Sequence, residues 1–195
     1  MASLKTITQF KSRLAGGGAR PNLFEVNIND FKYADAWDNE TFQFLCKTAA
    51  LPQSSITPVE IPFRGRVLKV AGDRTFDTWT VTVINDTSFN IRDAMEQWSN
   101  AINDLQFDGG ETSPAAYQKE AFVTQLGRKN DNKGTLSNGG DDMQQIRQYK
   151  FFGIYPNAVS SIPLDYGATD QIEEFQVTFN YIYWTVTSGP KITSG

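Results

Sequence analysis

Histidine is absent from this 195-residue chain. Its absence removes the commonest general base and the commonest metal ligand together. Cysteine occurs once, so no intrachain disulfide can form. That residue, Cys46, lies in "TFQFLC" in phase with Phe42 and Phe44, and reads as a small core residue. No apolar run approaches the ~18 residues of a membrane span. The opening "MASLKTITQFKSRLAGGGA" has no continuous apolar stretch and does not read as a signal peptide, which points to synthesis in the cytoplasm. The sequons at Asn39 and Asn85 then read as chance matches.

Catalytic motifs are missing too. There is no P-loop, no G-x-G-x-x-G and no serine in a G-x-S-x-G setting. The acidic pairs Asp141–Asp142 and Glu173–Glu174 read as solvated rather than catalytic. "NDNKG" at 130–134 lacks the closing glutamate of a calcium loop. No cofactor, metal or catalytic residue is expected. Excess positive charge is lacking as well: the net charge is −4. "FRGRVLK" gathers Arg64, Arg66 and Lys69, but three cations in an acidic chain release few counterions, so a nucleic-acid patch is a poor reading.

What is present is apolar and β-prone. The chain is 39% hydrophobic, with four Trp, seven Tyr and fourteen Phe, enough for one compact domain with a real core. "TFDTWTVTVIND", 75–86, alternates: Thr78, Thr80 and Thr82 point one way, Trp79, Val81 and Val83 the other. "PNLFEVNI" puts Phe24, Val26 and Ile28 on one face. "ETFQFLCKTA" and "AYQKEAFVTQL" read as further strands. So do "IRQYKFFGIYP" and "EEFQVTFNYIYWTV", the latter with Phe175, Val177, Phe179, Tyr181 and Tyr183 sharing a face. "TPVEIPFRGRVLKVAG" is interrupted by Pro58, Pro62 and Gly65, which fits an edge or an extended hairpin and not a central strand.

One strong helix is predicted in "SFNIRDAMEQWSNAINDLQ", capped by Asp86 or Ser88. Its apolar stripe is Phe89, Ile91, Ala94, Met95, Trp98, Ile102 and Leu105. Leu4, Ile7, Phe10 and Leu14 suggest a short amphipathic arm before the glycines at 16–18. "GRKNDNKGTLSNGGDD", 127–142, reads as a long polar loop. About seven strands and one helix make the fold mainly β: an antiparallel sandwich or small barrel with a flanking amphipathic helix.

"GARPNLFEV", "CKTAALP", "VAGDRTFDTWTVTVINDTSFNIRDAMEQW" and "FQVTFNYIYW", in that order, resemble the tail tube proteins of contractile-tailed bacteriophages. The resemblance runs over 19–184, leaving 1–18 as an N-terminal arm and 185–195 as an extension. It implies two antiparallel sheets packed as a barrel with one helix on the flank. It implies homo-hexameric rings stacked into a tube inside a sheath and started by a baseplate hub. A tape measure protein would fill the lumen until DNA passes through, bound to nothing. Similar tubes belong to type VI secretion systems and phage-tail-like bacteriocins, and a soluble ligand-binding β-sandwich is the rival of another class.

On this resemblance, Thr78, Thr80 and Thr82 are expected to line the lumen, where lysine would retain phosphate. Ring-to-ring docking is expected on 57–74, through Phe63, Arg64, Arg66, Val67 and Lys69, with Asp73 and Arg74 nearby. Phe10 and Leu14 of the arm are second candidates. Phe89, Met95, Trp98 and Ile102 are expected to hold the helix to the core.

Overall fold

The computed structural model describes residues 6–14, 18–107, 109–127 and 144–188. Among these are nine strands and four helices. Most of the polar 127–142 loop, the Asp141–Asp142 pair, the "NDNKG" segment and the last seven residues lie outside the described residues.

The alternating segments become strands because a half-buried pleat rewards that pattern. They are β1 (Phe24–Asn29), β5 (Trp79–Ile84), β6 (Lys119–Gly127), β7 (Gln144–Val159) and β8 (Glu174–Asn180). β7 is the hinge of the architecture. Its first part pairs with β6 on one side and with β9 (Tyr183–Ser188) on the other. Its last part, Tyr155–Val159, pairs with β8. Two antiparallel sheets therefore share one strand: β1-β6-β7-β9, and β7-β8-β5-β2, with β2 at Cys46–Ala49. Just before the changeover the β6–β7 register skips Gly153, whose φ is +66°, a left-handed conformation that suits glycine.

The facing sides of the sheets bury Val26, Ile28, Trp79, Val81, Val83, Val123, Phe151, Phe175, Val177 and Phe179. The long helix, α3 (Asn90–Ile102), adds Ile91, Ala94, Met95 and Trp98 at helical spacing. Trp98 is fully buried, and its Nε1 donates to the Tyr117 carbonyl at 2.8 Å. Ile102 packs at the margin of this cluster.

Several expectations are corrected. Phe89 is not part of the helix core: it sits at the N-cap in a left-handed conformation and is 45% exposed. Neither Asp86 nor Ser88 supplies a side-chain cap there. Leu105 lies beyond the helix and is exposed. "ETFQFLCKTA" is not one strand but a helix, α2 (Asn39–Leu45), running into β2. Asp38 caps α2, accepting from the amides of Glu40 and Thr41, so Phe42 turns inward while Phe44 faces solvent. "AYQKEAFVTQL" likewise begins as a short helix, α4 (Pro114–Tyr117), before β6.

The C-terminal alternation is also two strands rather than one. It breaks at Tyr181–Ile182, so β8 stays in one sheet and β9 joins the other. Tyr183 therefore belongs to β9 and does not continue the buried face of Phe175, Val177 and Phe179.

Two elements stand apart from the sandwich. α1 (Ile7–Arg13) opens with a capping box between Thr6 and Gln9 and is exposed along its whole length. The pair β3 (Ser55–Phe63) and β4 (Arg66–Thr75) forms a two-stranded ribbon of its own.

Candidate functional site

Three surfaces remain once the core is accounted for. The first is the outer face of the β7-β8-β5-β2 sheet. Cross-strand register places Thr80 opposite Thr178, and Thr82 opposite Gln176 and Thr48. The hydroxyls of Thr80 and Thr178 are 3.2 Å apart. Thr80 and Thr82 are half-buried, whereas Thr78 is exposed and precedes the strand. At the edge of this face Lys47 and Glu174 form an ion pair that cancels itself. The surface is thus a field of hydroxyls and amides with no local excess of charge, at ordinary β propensity. Among the described residues, the sheet ends on either side in a strand with a free edge: β2 pairs there with β5 alone, and Tyr155–Val159 of β7 with β8 alone.

The second surface is the ribbon. Arg64 and Gly65 take φ of +46° and +79°, the mirror-image turn that matches strand twist in a two-residue hairpin. Cross-strand pairs sort its side chains. Val59 faces Val70, Ile61 faces Leu68, and Phe63 faces Arg66 on one side. Glu60 faces Lys69, and Pro62 faces Val67, on the other. Phe63 is 66% exposed and carries the Arg64 guanidinium over its ring at 5.3 Å.

Of the residues proposed from sequence, Phe63, Arg64 and Arg66 gather at the tip. Val67 and Lys69 lie on the opposite side of the ribbon from Phe63, and Lys69 is engaged by Glu60 at 3.2 Å. Asp73 and Arg74 sit near the base, where Arg74 pairs with Ile56. Phe10 and Leu14 lie on the exposed α1.

Sequence reasoning missed the third surface, the link from β7 to β8. It walls a concavity of about 840 Å³ with Ile162, Leu164, Ile172 and Glu173. The signal was compositional: residues 160–173 hold Asp165, Asp170 and Glu173 and no cation.

The perturbed titratable groups belong to the scaffold. Burial pushes the Cys46 thiol up to about 12. Hydrogen bonds from the Thr41 hydroxyl and from the amides of Thr41 and Glu40 hold the Asp38 carboxyl below its ordinary range. Burial lowers Lys119, helped by nearby Lys32, and its ammonium lies over the Tyr33 ring at 5.4 Å. Among the described residues, no cluster of three acidic or cysteine side chains stands where it could hold a metal ion.

The phage tail tube protein family matches residues 19–187. The chain is 34% identical over 172 residues to the tail tube protein gp19 of Enterobacteria phage T4, covering 87% of this chain and 93% of that one. It is 24% identical over 181 residues to the tail tube protein of Serratia phage KSP90, covering 91% and 95%. Its fold is similar to a chain in the anti-feeding prophage baseplate, at TM-score 0.59 and 12% identity, covering 88% and 96%. It is similar also to a chain of the sheath-tube complex of an extracellular contractile injection system, at TM-score 0.54 and 13% identity, covering 95% and 99%. The chain belongs to the phage tail tube protein family, as a structural component of the virion tail of contractile-tailed (myovirus) phages.

Proposed function

We propose that six copies close into a ring, that rings stack into the inner tube of the tail, and that the face carrying Thr80 and Thr82 lines its lumen. The observation that carries this reading is the pairing of a charge-balanced hydroxyl face with free strand edges on the same sheet. A free edge seeks a partner, and in a ring the neighbour supplies one through a heterologous contact that closes. Six four-stranded sheets joined edge to edge at about 4.8 Å per strand give a circumference of about 115 Å and a backbone diameter of about 37 Å. DNA and, before it, a tape measure protein would travel through this channel without retention, because threonine and glutamine offer phosphate no counterion exchange. The sheath surrounds the tube, a baseplate hub starts it, and the subunit performs no catalysis.

Stacking is a second heterologous contact, one that does not close, and so makes a filament. The ribbon is its candidate. Its apolar side, with Val59, Ile61, Phe63, Leu68 and Val70 all exposed, is a liability in a lone subunit and is useful when another copy covers it. Phe10 and Leu14 of α1 are the second candidate for the same joint.

Negative-stain images of the purified protein with its baseplate should show rings and rods of six-fold symmetry. A strictly monomeric protein under those conditions contradicts the reading. The lumen is tested by Thr80→Lys. Virions carrying it should assemble full tails and deliver DNA poorly, and normal infectivity removes this face from the channel. Replacing 63–67 by a short Gly/Ser linker should leave circular dichroism unchanged and abolish stacking.

A further inference from the structure

The proposed joint has one half described, the ribbon, and needs a second half for the ribbon to meet. We infer that the concavity of the β7–β8 link receives the β3–β4 tip of a copy in the adjacent ring. This rests on the reading that the ribbon makes the joint, and it names the surface the ribbon joins.

The first argument is position. β5 and β8 pair from Trp79↔Phe179 at one end to Ile84↔Glu174 at the other. The ribbon enters at the first end: β4 stops at Thr75, Phe76 lies against Tyr181 with ring centroids 5.8 Å apart, and β5 follows. The β7–β8 link leaves from the second end, between Val159 and Glu174. The five residue steps of β5 span about 17 Å, and the eight steps of β3 about 27 Å. Ribbon and concavity thus lie at opposite ends of the same strands. A copy displaced along the strand direction presents its concavity to the ribbon of the one before it. The ribbon is long enough to overlap that copy well past the joint.

The second argument is charge. At the tip, Arg64 and Arg66 have no acidic partner among the described residues. Lys69, by contrast, is neutralised by Glu60. At the link, Asp165, Asp170 and Glu173 face no cation on their own segment, and Glu174 is already paired with Lys47. Among the described residues, two guanidinium groups without an acidic partner lie at one end of the chain's strands, and three carboxylates lie at the other, of which Glu173 accepts from the Asn85 amide at 3.0 Å and Asp165 from the Gly167 backbone at 2.8 Å. Guanidinium favours carboxylate by geometry as well as by sign.

The third argument is apolar area. The link leaves Leu164 82% and Ile172 71% exposed, beside a fully exposed Tyr166. The tip leaves Phe63, Ile61 and Leu68 uncovered. Each patch is too apolar for lasting contact with water, and each is rimmed by the charge the other lacks. A second copy of this chain is therefore the occupant, since it carries both halves in the right polarity. An unrelated protein would have to match the tip and leave the concavity unexplained.

Three variants of the full chain test this. Arg64→Asp with Arg66→Glu should lose sedimentable polymer while keeping native circular dichroism. Asp170→Lys with Gln171→Lys should lose it equally. All four substitutions in one chain should restore it. In parallel, Leu68→Cys with Leu164→Cys, treated with a bismaleimide after polymerisation, should give a ladder of linked subunits on a denaturing gel. Cys46 is buried and contributes no background. If the Gly/Ser-linker variant polymerises like the parent, the ribbon is not the joint and the concavity falls with it. If that variant fails to polymerise but the Asp170/Gln171 variant stacks normally, the acceptor lies elsewhere and only the present inference is lost. Tubes that form with the paired cysteines and give no ladder overturn it in the same way.

Discussion

Replacing Trp98 by alanine tests whether α3 is held to the sheets as described. Its ring is fully buried, edge-on to Phe31 at 5.3 Å, stacked with Tyr33 at 5.9 Å and tilted against Phe179 at 6.0 Å. Truncation of a buried Trp costs ~3–5 kcal/mol in transfer and cavity terms. The Tyr117 carbonyl, which accepts from Nε1, loses its donor. Tyr117 is half-buried, so the low end of the ~1–3 kcal/mol penalty for an orphaned acceptor applies. The sum is about 4–6 kcal/mol, close to the entire stability of many domains of ~5–15 kcal/mol. At ~2–4 °C per kcal/mol for a domain of this size, the midpoint should fall by about 10–20 °C. Trp98→Phe keeps most of the packing and loses the hydrogen bond, so it should cost markedly less. The assay is thermal and urea unfolding by circular dichroism, at concentrations where the subunit sediments unassembled, because polymer would stabilise it by mass action. A loss under about 2 kcal/mol for the alanine variant, or equal losses for both, refutes the buried position of the helix.

The register of α2 predicts a contrast: Phe42→Ala should cost ~3–5 kcal/mol, and Phe44→Ala less than ~0.5 kcal/mol in the unassembled subunit. If both cost the same in urea titrations, the segment is a strand after all. Gly153→Ala should destabilise by about 1–2 kcal/mol from its positive φ alone. A Cβ there would also meet the Ile182 side chain at 2.6 Å, so adding Ile182→Ala should recover only part of the loss. Cys46 should resist maleimide at pH 8 in the native protein and react at once in denaturant. Its folded pKa, about 12, is raised above the unfolded value, so its contribution is complete below the unfolded pKa and drains away as pH rises towards 12. A urea midpoint that climbs between pH 9 and 11 contradicts that sign for the thiol.

Where the physics is local, the chain announces itself. Alternation in β5 and β8 names the buried valines and aromatics, and the prolines of β3 with Gly65 mark a ribbon kept out of the main sheets. Two misreadings share a cause. Phe42 and Phe44 alternate as a strand would, yet Asp38 starts a helix there. A cap of one residue outweighs a two-residue pattern when the segment is only seven residues long. The run from Phe175 to Trp184 alternates without pause, and nothing in a period-2 pattern tells a strand where to leave its sheet. Ile182 makes that change by donating its amide to Phe152. The Thr face was legible as hydroxyls on one side of a strand. Its neutrality also depends on Thr178, Gln176 and the Lys47–Glu174 pair, which are distant in sequence. The acidic link has no periodicity, and only its lack of cations set it apart.

β7 has a mechanical consequence. Sheets in a sandwich ordinarily hold each other by side-chain contact, which yields to shear a little at a time. Here one continuous backbone runs from the first sheet into the second, paired with β9 up to Phe152, with β6 up to Ile154 and with β8 from Tyr155 onward. To slide one layer over the other, the chain must tear ladders in both layers at once or stretch covalent bonds. A push received by either layer is passed to the other through peptide bonds, and the subunit answers bending and torsion as a single stiff plate.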